Sequence, residues 1–194
     1  LTAADVWDLA IDPATPSILY VATGRGVLKV EVGGGCQVIN NCLPGSAVGA
    51  LAIDPLETTT LFAGTWGEGV YKSVNGGGSW NAVDSGLAPH TWIFTLAINP
   101  LVPRTIYAGT LHDGVFKSTD GGDWWNAVNS GLNATLVEAL AINPLVPTIL
   151  YGGTNYGGVF KSIDSGENWR ATNAGLPRPA VYALEIDPTE PSTI

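Results

Sequence analysis

Positive charge is scarce in this sequence. Four lysines and four arginines stand against 17 acidic residues in a chain of 194, giving a net charge of −9. Nucleic-acid binding relies on clustered Lys and Arg to neutralise phosphates. Here the arginines are scattered, and Lys29, Lys72, Lys117 and Lys161 each fall at the same point of a repeat. That distribution argues against a nucleic-acid partner and against an anionic membrane surface. Long apolar runs are missing as well. None approaches the roughly 20 residues of a spanning helix, so no membrane insertion is expected. Helical periodicity is absent. Cysteine is limited to Cys36 and Cys42, and His90 and His112 have no Cys or His partner at metal-ligand spacing. Asp120-Gly-Gly-Asp123 offers too few oxygen ligands for a calcium loop, and no nucleophile elbow or phosphate loop occurs. The sequence implies no metal and no cofactor. No signal peptide is visible in a chain that starts at Leu1.

Glycine and apolar residues are abundant. With 25 glycines, 13 prolines and 45% hydrophobic residues, the chain is too apolar for disorder and suits short strands joined by tight turns. It also repeats. From Gly69 it reads GVYKSVNGGGSWNAV, from Gly114 GVFKSTDGGDWWNAV and from Gly158 GVFKSIDSGENWRAT; a worn copy from Gly26 reads GVLKVEVGGGCQVIN. An Asp/Asn-Pro step recurs at Pro13, Pro55, Pro100, Pro144 and Pro188, at spacings of 42, 45, 44 and 44 residues. Each unit holds four strand candidates. The first is apolar on both sides, as at 48–53 and 137–142, and reads as buried on both faces. Four strands in this period predict a propeller blade, since one small sheet cannot cover its own two faces and must stack on its neighbours. A β-solenoid is the rival architecture, but its usual coil is shorter. The expected fold is an all-β propeller of four-stranded antiparallel blades, about four blades plus one extra strand. It forms a single repeat domain over 1–194, with units near 6–47, 48–92, 93–136 and 137–180 and a partial 181–194. Residues 1–6 match 132–137, and 191–194 stop where a second strand should follow. The expectation is therefore an incomplete segment of a longer propeller, whose open blade edges and faces would favour self-association.

The hairpin has a mechanism. Asn75, Asp120 or Asp164 can accept backbone N–H groups of its own turn, Gly77, Gly122 or Gly166 supplies a left-handed backbone, and Trp80, Trp125 or Trp169 covers the hairpin. Ser73/Asn75/Gly77/Trp80, Ser118/Asp120/Gly122/Trp125 and Ser162/Asp164/Gly166/Trp169 fit S-x-D-x-G-x-x-W and resemble the Asp-box, or BNR, repeat. The resemblance covers nearly all of the chain and implies the propellers of sialidases, sortilin-type receptors, xyloglucanases and the photosystem II assembly factor. In that family the box is structural. The first unit departs from it, with Val30, Val32 and Gln37 where Ser, Asp and Trp belong. A disulfide between Cys36 and Cys42 could replace the missing staple; the alternative is two small buried thiols. The sequon Asn133-Ala134-Thr135 points weakly to a secreted context.

Connections of an antiparallel blade alternate between two rims. The Asp/Asn-Pro turn and the box share one rim and barely vary. The second-to-third turn and the blade-to-blade loop share the other and vary freely. The second residue of each first strand also changes: Trp7, Gly49, Phe94, Glu138, Tyr182. Variable loops on a fixed scaffold are where binding is usually built. Trp66, Glu68, Trp92, His112, Asp113 and Tyr156 should gather there, and aromatics beside carboxylates suit a carbohydrate or protein ligand. The alternative is that they are ordinary loop residues.

An enzyme reading has less support. The resemblance implies an arginine triad for a sialidase, and Arg25, Arg104, Arg170 and Arg178 lie at different points of the repeat. A xyloglucanase-like hydrolase needs two separated carboxylates. Glu68, Asp113 and Glu138 could be proposed, though their spacing does not select them, and catalytic residues could lie outside this segment. The favoured expectation is a non-catalytic binding or structural module, extracellular or in the cell envelope.

Overall fold

The computed structural model describes residues 5–176, 180–191 and 193–194. They form four sheets of four antiparallel strands each, with no helix among the described residues. The first sheet is β1 (Val6–Ile11), β2 (Ile18–Thr23), β3 (Gly26–Glu31) and β4 (Cys36–Val38). The second is β5 (Val48–Ile53), β6 (Leu61–Thr65), β7 (Val70–Ser73) and β8 (Asn81–Ala82). The third is β9 (Ile93–Ile98), β10 (Ile106–Thr110), β11 (Val115–Ser118) and β12 (Asn126–Ala127). The fourth is β13 (Val137–Ile142), β14 (Leu150–Thr154), β15 (Gly158–Ser162) and β16 (Arg170–Ala171). Strands run in chain order across each sheet, and the first strands pack in series, β1 on β5, β5 on β9 and β9 on β13. These are propeller blades.

The core lies between blades rather than within them. Tyr20, Val27 and Ile39 of the first blade meet Leu51, Leu61 and Trp80 of the second. Phe62 and Val70 of the second meet Leu96, Ile106 and Trp125 of the third. Tyr107, Val115 and Val128 of the third meet Leu150, Phe160 and Trp169 of the fourth. A two-layer sheet interface is the way a small sheet buries its apolar faces. The Leu-x-Ile pair of each first strand plugs into the preceding blade: Leu51 and Ile53, Leu96 and Ile98, Leu140 and Ile142. Among the described residues no blade packs on Leu9 and Ile11 of the first blade, and both are exposed.

Hydrogen bonds fix which loops share a rim. On one side the Asp/Asn-Pro turn meets the third-to-fourth-strand hairpin turn: Gly76 N–H donates to Thr59 O, Gly121 to Arg104 O and Ser165 to Thr148 O, at 2.8–2.9 Å. Asp12, Asp54, Asn99, Asn143 and Asp187 each accept the N–H groups two and three residues on, at 2.8–3.1 Å. On the other side the variable turn meets the linking loop: Trp66 N–H donates to Ala47 O, Leu111 to Trp92 O and Asn155 to Leu136 O. That turn rests on Thr23, Thr65, Thr110 and Thr154, whose hydroxyls donate to Gly26, Gly69, Gly114 and Gly158 carbonyls at 2.8–2.9 Å. Asn40, Asn129 and Asn173 brace it again, each accepting the third-strand Val N–H at 2.7 Å.

Three details differ from the sequence reading. The first hairpin is one residue shorter than its siblings. Lys29 pairs with Gln37 as Lys72 pairs with Asn81, so Cys36, not Gln37, occupies the tryptophan position. Second, Cys36 and Cys42 are free exposed thiols, and no bridge closes that hairpin. Cys42 instead adopts φ 64° at the point where Gly86, Gly131 and Gly175 stand in the other units. Third, 181–186 takes the place of a first strand on the fourth blade, seating Leu184 and Ile186 by Tyr151 and Val159. Among the described residues no strand lies beside it, so it forms no ladder.

Candidate functional site

Ser73, Ser118 and Ser162 hydroxyls donate to Asn75, Asp120 and Asp164 at 2.7–2.9 Å and accept the N–H of Gly77, Gly122 and Gly166 at 2.9 Å. The same Asn or Asp oxygen accepts the N–H of Ser79, Trp124 or Asn168 at 2.9–3.0 Å. The Ser118 hydroxyl and then the Trp124 N–H hold the Asp120 carboxyl below the usual carboxylate range. For Asp164 the Asn168 side chain leads, then its N–H and the Ser162 hydroxyl.

The hairpin tryptophans do more than cover their own hairpins. Trp80, Trp125 and Trp169 donate their indole N–H to Ile39, Val83 and Val128 carbonyls of the preceding unit at 2.7–2.8 Å. The lysines also act between blades. Their ammonium groups lie 5.1–5.9 Å from the ring centres of Tyr20, Phe62, Tyr107 and Tyr151. Lys72 then reaches Gly121 O and Lys117 reaches Glu167, both at 3.0 Å. The regular lysine positions in the sequence reflect this packing.

On the variable rim the candidates split into two groups. Trp66 and Trp92 come together. Their rings stack 5.5 Å apart, within 6° of parallel, and their backbones form a bridge. Trp7 joins at 4.6 Å and Phe94 at 5.8 Å, so the cluster draws on the first three blades. Trp7 and Phe94 sit at β-bulges in the first strands, where the register skips one residue, and a bulge re-aims a side chain. Trp7 is 48% and Trp92 40% exposed, which leaves an open aromatic surface. Gly49 occupies the matching bulge of the second blade; a Cβ there would meet the Trp66 indole nitrogen and the Ile93 carbonyl. The Trp66 Nε1 is buried and finds no hydrogen-bond partner among the described residues.

His112 and Tyr156 form the second group, lining a groove of 660 Å³ with Leu111, Thr135 and Phe160 between the third and fourth blades. Tyr156 is 91% exposed, and the sequon residue Asn133 stands at the groove wall. Glu68 and Asp113 lie on the turns, their N–H groups held by Thr65 and Thr110 hydroxyls; their carboxylates belong to neither group. Glu138 accepts the Asn155 amide at 2.9 Å. Trp7 and Phe94 were visible as variable positions, but nothing in the sequence showed that they would reach Trp66.

Asp8 is a further finding. Its carboxylate accepts the N–H of Leu9 at 2.8 Å and of Leu51 at 2.7 Å, tying β1 to β5. Burial raises its pKa against those two bonds. Among the described residues, no group of His, Cys, Asp and Glu could hold a metal ion, and no helix is long and apolar enough to cross a membrane.

No protein-family model matches the chain, and no curated protein matches it in sequence. Solved structures do. An ancestral GH74 enzyme superposes with a TM-score of 0.79 at 21% identity, over 95% of this chain and 28% of that one. The GH74 xyloglucanase from Xanthomonas campestris gives 0.57 at 19%, over 95% and 42%. The extracellular domain of a protein described as a one component system of B. thetaiotaomicron gives 0.72 at 12%, over 94% and 25%. At these identities the likeness shows the β-propeller fold. This chain spans between about a quarter and two-fifths of the length of these structures.

Proposed function

We propose that the chain is part of an extracellular or cell-envelope propeller built of Asp-box repeats, and that it binds carbohydrate without turning it over. The observation that carries this reading is the Trp7–Trp66–Trp92–Phe94 cluster on the variable rim. Flat apolar rings offer a surface for the faces of sugar rings, and large exposed aromatics on a rigid scaffold are typical binding anchors. The structural neighbours, glycoside hydrolases and an extracellular domain, are the kind of propeller in which such a surface would serve.

The test is titration with xyloglucan oligosaccharides, followed by tryptophan fluorescence and calorimetry, beside a reducing-sugar assay. Binding without turnover is expected. Trp92→Ala should weaken it at least tenfold, about 1.4 kcal/mol. Gly49→Ala should weaken it too, by displacing the Trp66 ring without changing its chemistry. No binding, or binding indifferent to both substitutions, would refute the assignment. A hydrolase reading draws on the GH74 neighbours; turnover abolished by Asp113→Asn or Glu68→Gln would establish it instead.

A further inference from the structure

The linking loop between the third and fourth blades is one residue shorter than the loop before it. Residues 88–92 stand between Leu87 and Ile93, and 133–136 between Leu132 and Val137. The longer loop folds back on itself, with the Thr91 N–H and hydroxyl both donating to Ala88 O, at 3.3 and 2.7 Å. The shorter one makes no such turn, and the 660 Å³ groove lies open beside it. Both of its walls belong to blades that pack on each other within the chain. That volume falls in the range of small-molecule sites, roughly 300–1,000 Å³.

The lining selects for chemistry. Leu111 and Phe160 contribute apolar surface, and Tyr156 adds an exposed ring. His112, Asn133, Thr135 and the Tyr156 hydroxyl supply donors and acceptors. No hydrogen bond to another described residue engages any of these four side chains. Asn173, by contrast, is committed to the Val159 N–H and the Gly157 carbonyl. Among the described residues, no Asp, Glu, Lys or Arg lines the groove. A charged ligand would lose its hydration there without a counter-charge, whereas a neutral, hydroxyl-rich one would find partners. The groove also adjoins the aromatic surface, because the Leu111 N–H donates to Trp92 O at 3.1 Å. From there it reaches Ala171 on β16, the last strand of its sheet.

We propose that the groove is a second subsite for the glycan that lies on the aromatic surface. One neutral chain would run from the Trp66–Trp92 stack outward between the third and fourth blades; this rests on the carbohydrate reading above and adds chain length to it. Two contacts on one chain act at high effective concentration, so affinity for xyloglucan oligosaccharides of graded length should rise at least about tenfold from the shortest to the longest. Tyr156→Ala and His112→Ala should each remove most of that gain and leave the shortest ligand unaffected, whereas Trp92→Ala should weaken both. Calorimetry reads all of these. The chain has two histidines, and the His112 ring signals in NMR spectra should shift with the longest oligosaccharide and stay still with the shortest. A length gain that survives both groove substitutions, or Trp92-dependent binding with no gain, would overturn the groove assignment and leave the aromatic surface standing. No binding at any length would overturn both.

Discussion

Replacing Trp125 by alanine tests whether the blades are held to one another by the hairpin tryptophans. The ring is 1% exposed and lies among Phe62 and Val70 of the second blade and Ile106 and Phe116 of its own. Its indole N–H satisfies Val83 O at 2.7 Å. Truncating a buried aromatic costs about 3–5 kcal/mol, a large share of the roughly 5–15 kcal/mol that holds a domain together. Trp125→Phe keeps most of the apolar area but strands the Val83 carbonyl, for about 1–3 kcal/mol. Trp124, next in sequence and 55% exposed, is the control; its alanine variant should stay within about 0.5 kcal/mol. Urea unfolding measures all three. Hydrogen exchange adds the decisive readout, because stability in stacked repeats resides partly in neighbour interfaces. Protection should fall in β6 and β7 as well as β10 and β11. Loss confined to 114–128, or a cost below about 1 kcal/mol for the alanine variant, would mean that Trp125 merely covers its own hairpin.

Other outcomes follow from the same geometry. Cys42 (φ 64°) and Ser165 (φ 61°) stand in left-handed positions that sibling units fill with glycine. Cys42→Gly and Ser165→Gly should each stabilise by about 1 kcal/mol, read as a rise of roughly 2–4 °C in Tm; a fall in Tm would contradict the assignment. Asp164 has a depressed folded pKa, so its contribution is present above the unfolded value and lost as pH falls through the folded one. Asp164→Asn, copying Asn75, should flatten the acid limb of a stability–pH curve below about pH 4. Asp8 runs the other way. Its raised pKa means that the protonated form favours the fold, so stability falls as pH rises through the folded value. Asp8→Asn should remove that slope in the same titration.

The parts of this structure that were legible in the sequence are those that recur. Strands, turns and hairpin residues appear several times, and each copy checks the others: Asp12, Asp54, Asn99, Asn143 and Asp187 all make the same turn. What was not legible depends on a neighbour. The lysine positions were plain, but a cation over the aromatic ring of its own blade that also reaches the next hairpin requires knowing that the blades touch there. The register of the first unit failed for a related reason. Its hairpin has lost Ser, Asp and Trp, so no residue within it marks the missing position, and only the ladder from Lys29 to Gln37 fixes the count.

The same distinction explains the candidate site. Trp66 and Trp92 could be placed on one rim by topology, because alternate connections share a side. Trp7 and Phe94 could not, since an in-register strand turns its second residue toward a neighbouring blade. The bulge at that residue redirects it. Gly49 carries the bulge of the blade between them and leaves the space that the Trp66 ring occupies. The aromatic surface therefore depends on three first strands sharing one irregularity while differing in the residue placed on it. Exchanging Gly49 for a residue with a side chain should disperse the cluster even though every tryptophan remains, whereas the same exchange at Gly45, where nothing lies nearby, should leave its fluorescence unchanged.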